Sequence, residues 1–147
     1  MSNEVTIAID TREQAPLSGF TLPSVRATLK TGDYSVVGAE HLFAVERKTV
    51  SDLIGTLTTG RERFERELVR LSEMRRACIV VEGDLDTIIG WRYRSKVSPA
   101  CLVGSFASFF ARFGVATVFA GSVRNAEILA RAFLVKAEKH LGAQDAA

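Results

Sequence analysis

The sequence predicts an α/β fold in which one sheet is covered by helices. Apolar residues alternate with small or polar ones over residues 5–10, which is typical of a strand. Residues 77–81 form a continuous apolar run, as expected of a strand that is buried on both faces. Between such runs, Phe64, Leu68 and Leu71 recur at helical spacing. Strands that alternate with amphipathic helices favour a single sheet with helical layers.

The remaining elements follow from local signals. The β-rich runs 34–37 and 42–47 are separated by turn-forming residues 38–41, which predicts a hairpin, whereas the type of segment 25–30 is left open. Helices are expected over 49–57 and from about 61 to 76, with a shorter helical segment at 85–90. Ser98 and Pro99 start a helix that runs to Phe113, a strand follows at 115–120, and Ser122 caps a last helix to His140 or Leu141.

The composition is that of one globular domain. The chain has 147 residues, of which 47% are hydrophobic and 24% charged. We therefore expect a single domain over 1–147 with a disordered tail at 141–147. The net charge of +2 is too small for a uniform nucleic-acid-binding coat, so any such surface must be local. No apolar leader and no membrane-spanning run is recognisable, which predicts a cytoplasmic protein without a membrane partner.

The cysteines and histidines argue against a zinc or disulfide site. Cys78 and Cys101 each lie within apolar runs and are predicted to be buried thiols. The two histidines, His41 and His140, are far apart in sequence and show no zinc-ligand spacing, and His41 is expected at the surface of the turn.

The predicted hairpin brings charged residues together. If Ala39 and Glu40 form a two-residue turn, Asp33 lies opposite Glu46, with Cβ atoms about 4.5–5.5 Å apart. Lys48 lies two residues after Glu46 and shares its face. Two crowded carboxylates repel each other, and a divalent cation with hard oxygen ligands relieves that repulsion. The pattern therefore favours a Mg²⁺ site, in which Mn²⁺ can substitute, suited to phosphodiester cleavage.

A wider motif resembles the XPF/Hef family of structure-specific nucleases. The family signature is a Gly-Asp pair, a spacer, Glu-Arg-Lys, three residues and an Asp. The chain carries Gly32-Asp33, then Glu46-Arg47-Lys48, and then Asp52, preceded by Asp10 at the end of the first strand. Gly60-Arg61 and the helix after it also look like the segment that follows the motif in this family, and a looser resemblance extends over residues 105–141.

This resemblance implies a fold and a set of roles. It implies a restriction-endonuclease-like, three-layer fold with a central mixed sheet flanked by helices. It also implies a Mg²⁺-dependent DNA endonuclease for branched, flap or fork DNA, associated with the nucleoid of a bacterial, archaeal or phage-like source. Asp33 and Glu46 would bind the metal together with the backbone carbonyl of Arg47, whose side chain should point to the opposite face. Lys48 would be catalytic, with Asp10 and Asp52 also needed for cleavage.

Contacts to DNA are predicted at two places. Arg61, at a helix start, suits a phosphate contact or is simply an exposed charge. The segment 91–96 is basic and aromatic and contains no acid. Its aromatic rings could stack on bases while Arg92, Arg94 and Lys96 contact phosphates. Alternatively, Trp91 packs on the core and the cations solvate a loop.

Three further expectations concern assembly and alternatives. The apolar arc between residues 101 and 141 is wider than one sheet face needs, which predicts a homodimer through this part. No helix–hairpin–helix or helicase domain is recognisable, so a partner protein is a candidate for targeting. Two other functions stay open: a resolvase- or restriction-type nuclease with the same carboxylate–Lys core, and a catalytically silent DNA-binding or scaffold subunit.

Overall fold

The fold is built on one mixed sheet. A computed structural model describes residues 4–17 and 21–142, and its six strands lie in the order β2-β1-β3-β4-β5-β6. The strands are β1 (Ile7–Asp10), β2 (Ser24–Ala27), β3 (Tyr34–Val36), β4 (Phe43–Lys48), β5 (Arg76–Val81) and β6 (Ala116–Phe119). The helices are α1 (Val50–Leu57), α2 (Arg61–Glu73), α3 (Leu85–Ile89), α4 (Pro99–Phe113) and α5 (Val123–Ala137), and a π-helical turn over Glu138–Gly142 follows α5.

Strand direction determines which strand ends meet. β3 is antiparallel to both β1 and β4, whereas β1–β2, β4–β5 and β5–β6 are parallel pairs. The carboxyl ends of β1, β4, β5 and β6 therefore lie at the same edge of the sheet as the start of β3. Asp10, Asp33 and Lys48 thus lie at one edge of the sheet. In α/β proteins, binding sites commonly form at the edge where the carboxyl ends of the strands lie.

The sheet separates two apolar cores, so the molecule has three layers. On one face, Ile9, Val45 and Val80 pack with Ala130 and Leu134 of α5. On the other face, the sheet packs against α1, α2, α3 and α4; the buried residues there include Ala44, Ile79, Val81, Leu53, Phe64, Leu68, Leu102 and Phe109. This agrees with the predicted α/β architecture of a central mixed sheet flanked by helices.

Side-chain caps start the helices at the predicted residues. The hydroxyl of Ser98 accepts from the N–H of Cys101, with Pro99 at the first helical position, and the hydroxyl of Ser122 accepts from the N–H of Asn125. Thr49 caps α1 in the same way by accepting from the N–H of Asp52. Each cap satisfies one N–H that would otherwise lack an intrahelical partner.

Several expectations need correction. Cys78 is buried as predicted, but Cys101 is exposed, because it lies in the first turn of α4 on the side away from the core. α2 ends at Glu73 rather than near 76, since the chain is already extended at Met74 and β5 begins at Arg76. The segment 25–30, whose type was left open, begins within the edge strand β2, which spans Ser24–Ala27.

The C-terminal end also differs in detail from the expectation. α5 ends at Ala137, and the π-helical turn carries the chain on to Gly142. Leu141 is partly buried against the core, so it belongs to the fold and not to a tail. Residues 143–147 lie outside the described part of the chain. No helix within 4–17 and 21–142 has the length and apolar character needed to cross a membrane.

Candidate active site

The alternation of side chains along each strand sets the face on which the site lies. Along β1, Ile7 and Ile9 pack toward α5, so Asp10 points to the opposite face. Along β4, Val45 packs toward α5, so Glu46 and Lys48 also point to the face covered by α2. The acidic and basic side chains of the motif therefore share one face because of strand geometry alone.

The predicted pairing register of β3 with β4 is confirmed at Tyr34, but it does not extend to Asp33. Tyr34 pairs with Val45, as a turn at Ala39 and Glu40 implies. The connection is longer than two residues, however, because β3 ends at Val36 and β4 begins at Phe43. Asp33 is not directly opposite Glu46, because its N–H donates to the carbonyl of Val45 at 2.8 Å and regular pairing has ended.

Gly32 explains how the chain turns into this position. Its φ of 81° lies in the left-handed region, and a Cβ at this residue would be 2.9 Å from Cβ of Ala44. Asp33 follows directly, and its Oδ2 accepts from the N–H of Arg47 at 2.8 Å. A glycine before the aspartate thus lets the backbone approach β4 closely enough for that hydrogen bond to form.

Glu46 and Lys48 form the second part of the cluster. Nζ of Lys48 lies 3.7 Å from Oε1 of Glu46 and 5.5 Å from the ring centroid of Phe64. Burial raises the pKa of Glu46 well above its ordinary value, and the nearby negative charge of Asp33 adds to the effect, against the opposing attraction of Lys48. Burial likewise raises the pKa of Asp33, although the hydrogen bond from Arg47 opposes this.

Asp10 is held differently from the other carboxylates. It is only 2% exposed, and its oxygens accept from Nε of Arg12 at 2.7 Å and from the N–H of Leu29 at 3.0 Å. Burial opposes ionisation here, but the hydrogen bonds from Arg12 and Leu29 hold the pKa of Asp10 below its ordinary value. Asp10 is therefore a fixed negative charge that also ties β1 to the segment after β2.

The side chain of Arg47 lies on the opposite face, as predicted. It bridges Glu82 and Glu13, with Nη1 3.2 Å from Oε2 of Glu13. The hydroxyl of Tyr34 donates to the same Glu13 oxygen at 2.6 Å. This ion pair network fixes the backbone at the end of β4 and leaves only the carbonyl of Arg47 as a candidate metal ligand.

A cavity of about 280 Å³ opens over the cluster. Its lining is dominated by charged residues of both signs: Asp10, Glu13, Asp33, Glu46 and Glu67, together with Arg12, Lys30, Lys48, Arg63 and Arg70. Four of the predicted catalytic residues, Asp10, Asp33, Glu46 and Lys48, are thus brought together around one opening.

The contribution of α2 was missed in the sequence. A helix face rich in Arg and Glu is usually a solvated surface, yet Arg63, Glu67 and Arg70 line the cavity. The signal was present, because these residues are spaced i, i+4 and i+7 and so lie on one side of a helix. Oε2 of Glu67 is buried without a hydrogen-bond partner in the described part of the chain, and the charge of Glu67 also helps raise the pKa of Glu46.

Two predicted residues lie outside this cavity. Asp52 is exposed in the first turn of α1, where its N–H donates to Thr49, and it does not line the opening. Nη1 of Arg61 donates to Ser105 of α4 at 3.0 Å, and its guanidinium lies 5.7 Å from the ring centroid of Phe109. The catalytic role of Asp52 and the phosphate contact of Arg61 stay predictions.

The predicted DNA-binding segment lies between α3 and α4. Arg92, Arg94 and Lys96 are all exposed there. Trp91 is half exposed and stacks on Tyr93. The alternative in which Trp91 packs on the core is therefore wrong. The three cations are therefore exposed to solvent, and their contact with DNA remains a prediction.

The donor set at the cavity fits a hard divalent cation in its chemistry. No group of three or more His, Cys, Asp or Glu side chains in the described ranges is arranged to hold a metal ion by itself. Mg²⁺, however, commonly uses one or two carboxylates and keeps several waters. Burial disfavours the ionised form of both Asp33 and Glu46, and the charge of Asp33 disfavours ionisation of Glu46 further; a cation bound by both would remove that cost.

Comparison with known proteins places the chain in a family. No curated protein matches the sequence. In fold, it is similar to XPF from Aeropyrum pernix, with a TM-score of 0.73 and 22% identity over 90% of this chain and 61% of that one. The same archaeal XPF in complex with DNA matches with a TM-score of 0.74 and 23% identity over 92% and 66% of the two chains. This chain therefore spans about two thirds or less of those XPF chains.

The family match rests on the sequence itself. The family model described as the ERCC4 domain matches residues 9–130, a range that contains the four clustered residues Asp10, Asp33, Glu46 and Lys48. Since this range covers most of the 147 residues, this chain belongs to the ERCC4 domain family.

Proposed function

We propose that this chain is a metal-dependent DNA endonuclease that cuts branched, flap or fork DNA. The observation that carries the proposal is the convergence of Asp10, Asp33, Glu46 and Lys48 around one charged cavity at a sheet edge. Membership of the ERCC4 family and a fold shared with an XPF solved in complex with DNA support the choice of nucleic acid as substrate.

Each residue of the cluster has a definable task. When bound at Asp33 and Glu46, Mg²⁺ or Mn²⁺ would polarise the phosphodiester and lower the pKa of a bound water. Lys48 presents a cation 3.7 Å from Glu46, where it can orient the attacking water or stabilise charge that develops on the phosphate. Asp10 holds the β1 end in place through Arg12 and Leu29.

Two neighbouring cavities extend the site on both sides. One, of about 330 Å³, shares Lys48, Arg63 and Glu67 with the central cavity. The other, of about 700 Å³, shares Lys30 and Arg70 with it. The central cavity thus shares cations with each of its two neighbours, which suits a chain of phosphates better than a small ligand.

Two copies of the chain are proposed to pair through residues 101–141. Phe110 of α4 is 60% exposed and Ile128 of α5 is 54% exposed, while β6 between these helices is an edge strand. An apolar groove of about 700 Å³, lined by Val118 and Phe133 among others, runs between β6 and α5. Exposed apolar residues beside a strand edge that is unpaired within the described part of the chain are typical of an interface. A protein partner that supplies targeting is a further proposal.

A cleavage assay over several DNA structures tests the function. Labelled single strand, duplex, flap, fork and four-way junction should be incubated with Mg²⁺, with Mn²⁺ and with chelator. We expect metal-dependent cutting of at least one branched form. Asp33→Asn should abolish cutting while circular dichroism and DNA binding are retained, because the change removes a charge and keeps the shape of the side chain.

The matched control is Glu62→Gln, an exposed carboxylate of α2 that does not line the cavities. This variant should cut at the wild-type rate. If Asp33→Asn cuts as fast as the wild type in metal, the assigned site is wrong. If no DNA structure is cut while all of them are bound, the chain is instead a silent DNA-binding subunit.

A further inference from the structure

We propose that Trp91 and Tyr93 form a platform on which one unpaired nucleobase of single-stranded DNA stacks. The inference rests on the proposed function for the class of ligand, but not on catalysis. It concerns a surface outside the charged cavity, in the connection between α3 and α4. Single-stranded arms are what distinguish flaps and forks from plain duplex, so a site for an unpaired base would bear on substrate choice.

The backbone at Trp91 is the first observation. Its N–H donates to the carbonyl of Ile88, and the N–H of Arg92 donates to the carbonyl of Thr87, so these two bonds close the end of α3. In this type of helix end, the Schellman motif, the first residue after the C-cap adopts the left-handed conformation, and glycine is the usual residue there. Trp91 occupies that position with a φ of 54°, at a steric cost that glycine would avoid. The helix end requires the conformation, but it does not require a tryptophan.

The ring itself is the second observation. Trp91 is 50% exposed, and its indole N–H already donates to the carbonyl of Ser95 at 3.1 Å. The ring stacks on Tyr93 with centroids 6.2 Å apart and an interplanar angle of 21°. The hydroxyl of Tyr93 donates to the carbonyl of Val97 at 2.7 Å, and this hydrogen bond fixes the Tyr93 ring beneath the indole. The indole is therefore held in place and bonded at its edge, yet much of its area remains open to solvent.

The surrounding charge identifies the occupant. Residues 91–96 carry Arg92, Arg94 and Lys96 and no acid, and all three cations are exposed. Arg92 folds back over Gly90, where its guanidinium would lie 3.3 Å from an added Cβ, so Arg94 and Lys96 are the cations that extend freely from the segment. An open π-face flanked by cations is the arrangement that binds a base and its neighbouring phosphates, since every base has a face to stack and each nucleotide carries a negative charge.

The location is compatible with the nuclease site. β4 and β5 are parallel, with Lys48 beside Val81, so the chain leaves β5 at the same sheet edge as the charged cluster. α3 begins four residues later and ends directly before the platform. The chain that leads to the platform therefore starts from the sheet edge that carries the charged cluster.

Intrinsic fluorescence tests the platform directly, because Trp91 is the only tryptophan of the chain. The protein should be titrated in chelator, so that nothing is cut, with a thymidine oligonucleotide, with an abasic deoxyribose-phosphate chain of equal length, and with duplex. We expect the oligonucleotide to quench the emission, and the abasic chain of equal charge to leave it unchanged. Equal quenching by the abasic chain, or no change with any ligand, would overturn the proposal and leave the platform for a protein partner.

Variants then separate stacking from general apolar contact. Trp91→Gly suits the left-handed backbone and should weaken binding of a labelled single strand by roughly ten-fold in anisotropy measurements, whereas Trp91→Phe should restore most of it. Ile89→Ala, which trims an exposed apolar residue of the same helix, should bind normally. An equal loss in Ile89→Ala, or no loss in Trp91→Gly, contradicts stacking. Metal-dependent cutting is scored separately, so quenching without cutting would reject only the nuclease function, and cutting without quenching only the platform.

Discussion

The N–H of Arg47 donates to Oδ2 of Asp33 at 2.8 Å, so the backbone of β4 holds the carboxylate that the start of β3 contributes. The side chain of Arg47 is engaged on the other face by Glu13 and Glu82. One residue therefore links the two faces of the sheet edge. Glu46 precedes Arg47 along β4, so Asp33 has a fixed position relative to Glu46. The fold therefore holds the two carboxylates close enough for the charge of Asp33 to disfavour ionisation of Glu46.

Burial of the two carboxyl groups, together with this repulsion at Glu46, predicts how stability depends on pH in the metal-free protein. The pKa of Asp33 is raised to about 6 and that of Glu46 to about 8. A carboxyl whose pKa is higher in the folded state stabilises the fold at low pH and loses that contribution as pH rises through the folded-state pKa. The free energy of unfolding should therefore fall by roughly 1–3 kcal/mol between about pH 5 and pH 8.5. Denaturant titrations in chelator measure it.

The cause can be tested by removing one charge. Glu46→Gln should be more stable than the wild type at pH 8 in chelator and should show a flatter pH dependence, because the neutral amide avoids the cost of burial. Millimolar Mg²⁺ should flatten the wild-type curve as well, since a cation compensates both charges. A Glu46→Gln protein that is less stable than the wild type at pH 8 would show that Lys48 already compensates Glu46.

Gly32→Ala should displace Asp33. The new Cβ would lie 2.9 Å from Cβ of Ala44 in a residue with a φ of 81°, so both packing and backbone are strained. We expect a loss of roughly 1–3 kcal/mol in stability and a large loss of cleavage. Gly38→Ala is a matched control for backbone strain alone, because φ is 90° there and nothing lies within 4 Å of the added Cβ. Similar cleavage by both variants would argue against the positioning role of Gly32.

The sequence indicated the charged cluster because strand alternation is a local property. Knowing that Glu46 and Lys48 share a face requires only the period of two along β4. The register was also predictable, since Tyr34 pairs with Val45 as the turn implied. The departure at Asp33 was not predictable, because it depends on the close approach of Gly32 to Ala44, which belongs to another strand.

The role of α2 was hidden for a different reason. A face rich in Arg and Glu is usually solvated, and nothing in the local sequence says which tertiary surface lies opposite it. Arg63, Glu67 and Arg70 become part of the site only because α2 packs against β5 and places Phe64 beside Lys48 of β4. In contrast, the exposure of Cys101 follows from the rotation of α4 about its axis, which a short apolar run does not fix.

Glu67→Gln tests the contribution of α2. Oε2 of Glu67 is buried and has no hydrogen-bond partner among the described residues, and the negative charge of Glu67 raises the pKa of Glu46. A cation held by Asp33 and Glu46 keeps waters that need acceptors, and a free carboxylate oxygen nearby can bind them. Metal affinity, measured by calorimetry or by Tb³⁺ luminescence without DNA, should weaken by roughly 10-fold or more. Glu62→Gln on the outer side of α2 is the control, and equal metal affinity of both variants would remove Glu67 from the site.

The salt dependence of DNA binding should report on the segment after α3. Each phosphate neutralised by a cation contributes roughly −0.9 to the slope of log K against log salt for duplex and about −0.7 for single strands. Replacing Arg92, Arg94 and Lys96 together by Ala should therefore reduce the steepness of the slope by the contribution of about one to two phosphates. Alanine at Arg124 and Lys139, which belong to the opposite helical layer, should leave it unchanged. The same slope in both variants would assign the segment to solvation.

The proposed dimer predicts a mass of twice 16.0 kDa in solution. On α4, Phe109 is buried in the core of the subunit, whereas its neighbour Phe110 is exposed. A charge at Phe110 therefore tests the interface without entering the core, whereas Phe133 is partly buried against the core and is a poorer choice. Phe110→Asp should shift the equilibrium to monomer in sedimentation experiments at micromolar concentration. Val25→Asp, on the exposed edge strand β2 at the other end of the sheet, should leave the mass unchanged. A wild-type mass of 16.0 kDa at every concentration would contradict the dimer.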